Sequence, residues 1–126
     1  MRIHLDDRRQ FFGDLFQTPG DLNVVILQPH VTIAWHRHQH QDDHLFCVQG
    51  TVKVGMVGPS DVLTWFVLSE RQPSVLTIPR GIWHGYRNLG PERAILVGYN
   101  TMKWSGDDEE RKSIAEMGID WGVIEK

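Results

Sequence analysis

The chain has a single cysteine, Cys47, set inside an apolar run, so no intrachain disulfide can form and a disulfide scaffold is excluded. That usage fits a reducing compartment, and a cytoplasmic location is expected. Long apolar runs are missing as well. None approaches the ~20 residues that span a bilayer, and the opening MRIHLDDRRQ carries charge where a leader needs its apolar stretch, so no membrane insertion is expected. Charge of one sign is also scarce: 13 Lys and Arg face 16 Asp and Glu, a formal charge of -3, which leaves no global field to recruit nucleic acid. Internal repeats, low-complexity tracts and long linkers are absent. The 126 residues are expected to form one domain, residues 1–126, long enough to bury a two-sheet core.

What the chain does have is a series of short extended segments. Val24 to Leu27, Val31 to Trp35, Leu63 to Leu68, Val75 to Ile78, Ile82 to Tyr86 and Ala94 to Tyr99 are apolar stretches of strand length separated by turn residues. Leu45 to Met56 reads as two strands broken at Gly50, where the lack of a Cβ permits a tight turn. Pro79 and Gly81 lie too close together to sit inside one ladder and mark a rim. Turn signals about every ten residues indicate an all-β sandwich or barrel. One short helix is expected, over Asp107 to Met117, with acids at its start and Gly118 as its stop.

Chemistry concentrates in Trp35-His36-Arg37-His38-Gln39-His40. Side chains alternate along a strand, so His36 and His38 share one face, while His40 falls in the following turn. Imidazoles packed on one face repel one another when charged and are costly to desolvate, which a metal ion or a bound anion offsets.

The spacing His36-x-His38, four residues, Asp43, six residues, Gly50 resembles the first motif of cupins, with aspartate in place of the usual glutamate. Pro79-x-Gly81-x-x-His84-x-x-x-Asn88 resembles the second. The resemblance implies a double-stranded β-helix, the RmlC-like jelly roll, with the short helix at its C-terminal end. It also implies that His36, His38, Asp43 and His84 could hold one divalent metal, and such nitrogen and oxygen ligands suit iron, manganese, nickel or zinc. Cupins commonly pair through their sheets, so a homodimer is expected, with Val24 to Leu27 and its N-terminal neighbours adding to a partner's sheet.

A second resemblance covers most of the chain. Asp7-Arg8-Arg9-Gln10-Phe11-Phe12-Gly13-Asp14-Leu15-Phe16, then Leu76-Thr77-Ile78-Pro79-Arg80-Gly81-Ile82-Trp83-His84-Gly85, and finally Ile119-Asp120-Trp121, are similar to segments of the dTDP-4-dehydrorhamnose 3,5-epimerase family. By that likeness the substrate is a nucleotide-linked 4-keto-6-deoxy sugar, and no cofactor is required. His36 is the catalytic base and His38 a second acid-base group. Arg9 contacts the diphosphate, and Phe12, Asp14 and Asn23 complete the substrate site. Trp83 offers a flat face for a sugar or base, and Tyr99 is a further candidate contact. The family's arginine before the base corresponds to Ile33, its lysine to Asp43, and its tyrosine has no counterpart in register. The arrangement His36-Arg37-His38, Cys47 before Gly50 and Ile82-Trp83-His84 also resembles sugar-nucleotide 3,4-ketoisomerases, in which two neighbouring histidines shuttle the proton. A small-molecule-binding cupin without turnover and a metal-dependent cupin with a non-sugar substrate are the alternatives.

Overall fold

The computed structural model describes residues 2–13 and 20–122. Two antiparallel sheets face each other, with strands numbered along the chain. One sheet runs in the order β1 (Arg2–Leu5), β2 (Arg9–Gly13), β3 (Asp21–Leu27), β10 (Ala94–Asn100), β5 (Asp43–Gln49), β8 (Val75–Ile78). The other runs β11 (Glu109–Arg111), β4 (Thr32–His38), β9 (Trp83–Asn88), β6 (Thr51–Val57), β7 (Leu63–Ser69). This is the all-β, two-sheet arrangement that the strand pattern predicts and the jelly roll that the cupin resemblance implies.

The alternation along β3 shows how sequence becomes layer. Asp21, Asn23, Val25 and Leu27 are buried between the sheets, while Leu22, Val24 and Ile26 point outward. Val25, Leu27, Leu45, Val52, Val54, Leu68 and Leu96 fill the space between the sheets. Removing their side chains from water is the main stabilising term, about 1.5–3 kcal/mol for each fully buried aliphatic group. A second cluster lies on the outer face of the five-stranded sheet, where Trp35, Val57, Trp83 and Trp121 pack with Trp65, Met117 and Ile119. Gly55 makes room for it. A Cβ there would lie 2.7 Å from the Trp65 ring and 2.8 Å from that of Trp35.

The expected helix over Asp107 to Met117 is shorter in the structure. Residues Gly106–Asp108 form a single 3-10 turn and Glu109–Arg111 form β11, which leaves α1 at Ile114–Met117. The reason lies in the side-chain alternation of β11. Glu110 points outward to a 2.8 Å ion pair with Arg37, and the Asp108 carboxylate accepts the backbone N–H groups of Gln39 and His40. These contacts zip the segment onto β4 before a helix can start. Ser113 then opens α1 with a reciprocal capping box to Glu116, and Gly118 ends it at φ +63°. No described helix is long and apolar enough to cross a membrane.

β3 is flanked by β2 and β10, so the edge of this sheet that could meet a partner lies at its N-terminal neighbour β1 rather than at Val24 to Leu27 itself.

Candidate active site

A cavity of about 520 Å³ opens between the sheets, and the three histidines converge on it. Their convergence depends on one inserted residue. Across β4 and β9, Ile33 pairs with Tyr86, Ala34 with Gly85 and His36 with His84, so Trp35 is an extra residue in the ladder. Ile33 and Tyr86 belong to the inner core. Strict alternation after Ile33 would send His36 outward. The bulge lets Ala34 and Trp35 both pack in the outer cluster and returns His36, and with it His38, to the inside.

The ring centroids of His36 and His84 lie 4.4 Å apart, those of His38 and His84 5.8 Å, and those of His36 and His38 6.1 Å. Asp43, at the start of β5 in the facing sheet, turns its Oδ2 to His84 Nε2 at 3.3 Å and to His38 Nε2 at 3.5 Å. Gln41 donates to Asp43 Oδ1 at 2.7 Å and fixes the carboxylate. His84 Nδ1 lies 3.0 Å from the Ile82 carbonyl, an acceptor only, so Nδ1 carries the hydrogen and Nε2 is the atom turned to Asp43. Behind His38, Asp108 Oδ2 is 3.9 Å from Nδ1, and Asp108 Oδ1 is 2.7 Å from His40 Nδ1. Burial, then the neighbouring His84 and His38, holds His36 well below the ordinary imidazole range. Burial also lowers His38, against the opposing pull of Asp43. Both rings are therefore neutral near pH 7.

An imidazole lone pair set against a carboxylate calls for a cation between them, either a proton or a metal ion. The donor atoms of His38, Asp43 and His84 all lie within 4.8 Å of one another, a spacing that suits one divalent ion. The shorter side chain of aspartate does reach the site. This convergent set holds three of the four residues that the resemblance implies as ligands, and His36 is not among them. His36 instead faces its neighbours edge-on and lines the open cavity.

Arg9 and Asn23 line the cavity as expected. Phe12, Trp83 and Tyr99 do not, and in each case strand parity is the reason. On β2, Arg9 and Phe11 share the cavity side, so Phe11 takes the place expected for Phe12. On β9, His84 points in and Trp83 points out, into the outer cluster, with the Arg37 guanidinium 4.5 Å from its ring centroid. On β10, Leu96 and Gly98 are buried, so Tyr99 points outward and stacks on His44 with centroids 6.1 Å apart. Asp14 lies outside the described residues. Sequence reasoning assigns no role to Tyr86, Glu109 or Arg111, which also line the cavity. Tyr86 follows His84 by two residues and shares its face, a signal present in the sequence. Glu109 and Arg111 pair with His38 and His36 across β11 and β4, which no local pattern reveals.

Comparison with known proteins agrees with this architecture. The family model described as the cupin domain matches residues 23–98, and the chain belongs to that family. A Haloferax volcanii protein named "Probable low-salt glycan biosynthesis epimerase Agl13" is 36% identical over 92 residues, 66% of this chain and 59% of the relative. This chain thus spans less than two thirds of that relative's length. The spore coat polysaccharide biosynthesis protein SpsL of Bacillus subtilis is 30% identical over 140 residues, 95% of this chain and 90% of its own. Among solved structures, a dTDP sugar isomerase from Desulfovibrio desulfuricans G20 superposes with a TM-score of 0.78 at 19% identity, over 89% of this chain and 77% of that one. At that identity the likeness bears on the fold.

Proposed function

We propose that this cupin acts on a nucleotide-linked 4-keto-6-deoxy sugar, as an epimerase or ketoisomerase that moves a proton at carbon next to a ketone. The observation that carries the reading is the meeting of His36 and His38, neutral by burial, in one cavity with Arg9 and Asn23. The names of the relatives, a glycan biosynthesis epimerase and a spore coat polysaccharide biosynthesis protein, support a sugar-related substrate in general.

His36 takes the proton. Its ring is neutral and has no carboxylate partner among the described contacts, so a lone pair is available to the carbon acid. His38, held between Asp43 and Asp108, is the second acid-base group and returns a proton to carbon, taking up in exchange the one drawn by His36, so that both rings end neutral. Return to the adjacent carbon, with the hydroxyl proton of the first carbon passing to the former carbonyl oxygen, gives keto-isomerisation, and return to the same carbon from the other face gives epimerisation. Arg9 and Asn23 line the cavity in which the substrate lies. A divalent ion on His38, Asp43 and His84 would supply Lewis acidity toward a substrate oxygen, but proton transfer through the histidines does not require it. The same donor set favours a second reading, a metal-dependent cupin with a non-sugar substrate. A cytoplasmic location and a homodimer belong to the proposal.

Incubation with a dTDP-linked 4-keto-6-deoxyhexose in D₂O tests it, with the product followed by proton NMR. Deuterium is expected at a carbon adjacent to the ketone. No uptake by folded protein would remove the sugar-isomerase reading, and stoichiometric tightly held metal in the same preparation would favour its rival.

A further inference from the structure

Drawing a proton from carbon beside a ketone leaves negative charge on the carbonyl oxygen, and the site must meet it with a cation or a hydrogen-bond donor. The positions where the family resemblance expects an arginine and a lysine hold Ile33, a core residue, and Asp43, a carboxylate. β4 and β5 therefore bring no positive side chain to the inside of the site at these positions.

The fold brings positive charge in from other strands. Arg9 on β2 and Arg111 on β11 both line the cavity, and both act on His36 by their charge. They differ in what else they do. Arg111 is 66% exposed and bonded to Glu109 at 2.9 Å, so solvent and its partner screen it. Arg9 is only 15% exposed, and its Nε is buried without a hydrogen-bond partner among the described residues, with Asp6 Oδ2 3.9 Å away. The Arg9 guanidinium lies beside the buried Tyr86 phenol and acts on it by charge and by hydrogen bonding. Tyr86 lies on the inner face of β9, its ring centroid 6.1 Å from that of His36.

We propose that Tyr86, backed by the Arg9 guanidinium, is the donor that receives the enolate oxygen during proton removal, an assignment that rests on the sugar-ketone reading above. A guanidinium only donates, so it engages the phenol oxygen and leaves the Tyr86 O–H to point at a third group. A phenol keeps its proton at neutral pH. In the step itself the C–H proton goes to a His36 nitrogen and its electron pair becomes the C=C bond. The C=O π pair moves onto oxygen, which accepts the Tyr86 hydrogen bond. Reprotonation at carbon reverses the flow, and Tyr86 transfers no proton. Arg9 is then a positioning residue for Tyr86 beside the reacting carbon.

The test is steady-state deuterium uptake into a dTDP-linked 4-keto-6-deoxyhexose by wild type, Tyr86→Phe, Arg9→Gln and Arg9→Lys, each checked by circular dichroism. Tyr86→Phe is expected to lower kcat by about 10²-fold or more with KM within about threefold, the size seen when one oxyanion donor is lost. Arg9→Gln should lower kcat by about tenfold, and Arg9→Lys should recover part of that loss; a diphosphate anchor would raise KM instead. Should Tyr86→Phe not fold, the Arg9 pair decides alone. An active wild type with kcat unmoved by these changes overturns the Tyr86 assignment and leaves the function standing. A wild type that takes up no deuterium removes the function, and this assignment falls with it.

Discussion

His36 and His84 face each other across β4 and β9 with ring centroids 4.4 Å apart, and they do so because Trp35 is inserted between Ala34 and His36 in the ladder. The insertion is anchored from outside. Trp35 is 1% exposed, its ring 5.2 Å from that of Trp121. Trp35→Ala is expected to cost about 3–5 kcal/mol of stability by urea unfolding, the usual range for a large buried aromatic cut to alanine. A change under about 1 kcal/mol would show that the bulge does not depend on this anchor.

The neutral histidines make stability depend on pH. In the unfolded chain His36 and His38 bind protons as pH falls through about 6.5. In the folded protein burial delays that binding to lower pH. The unfolded state therefore holds more protons in this window, and stability rises with pH. It is complete above about pH 6.5 and is lost as pH falls through the depressed folded values. Melting temperatures measured from about pH 7.5 to 5 should fall for wild type and fall less steeply for His36→Asn. Parallel profiles for the two proteins would show that His36 is not buried neutral.

The three-donor set makes a separate prediction. Added Mn²⁺ or Zn²⁺ should raise the melting temperature of wild type, and Asp43→Asn should abolish that rise, because it removes the charged ligand from between His38 and His84. Deuterium uptake by protein treated with a chelator should stay within about twofold of the untreated rate, since proton transfer needs only the imidazoles. Complete loss on chelation, restored by one metal, would move the protein into the metal-dependent class.

Much of this site was legible in the sequence. Period-two spacing aligned His36 with His38, and the cupin spacing placed Asp43 and His84 beside them. The outward positions of Phe12, Trp83 and Tyr99 were not legible. Facing direction is set by register with a neighbouring strand, and a shift of one residue moves every side chain to the other face. Glu109 and Arg111 were hidden for another reason. An acid-rich start followed by basic residues is a helix signal, and only the tertiary contacts of Asp108 and Glu110 turn the segment into a strand.

Parity can be tested directly. Tyr99 stands on the outer face against His44, so Tyr99→Phe should leave KM within about twofold of wild type. Phe11→Ala, on the cavity side of β2, should raise KM by more than about fivefold. The reverse order would mean that the ligand binds on the outer face of the six-stranded sheet.

The same outer face offers a surface for the homodimer proposed above. Leu22, Val24 and Ile26 on β3, Phe46 and Val48 on β5, and Ile95 and Val97 on β10 all point away from the core. They adjoin one another, with Ile95 opposite Ile26 and Val97 between Val24 and Phe46. We propose pairing through this face as a second route to the homodimer, beside edge addition at β1. A contiguous apolar sheet face of this kind is unusual on a monomer, and a two-fold axis through it lets the same residues cover each other in a second copy. Val97→Asp places a charge at the centre of the face without touching the inner core. Sedimentation velocity should give a dimer for wild type and a monomer for Val97→Asp, with circular dichroism unchanged. A wild type that sediments as a monomer at tens of micromolar would rule out this pairing.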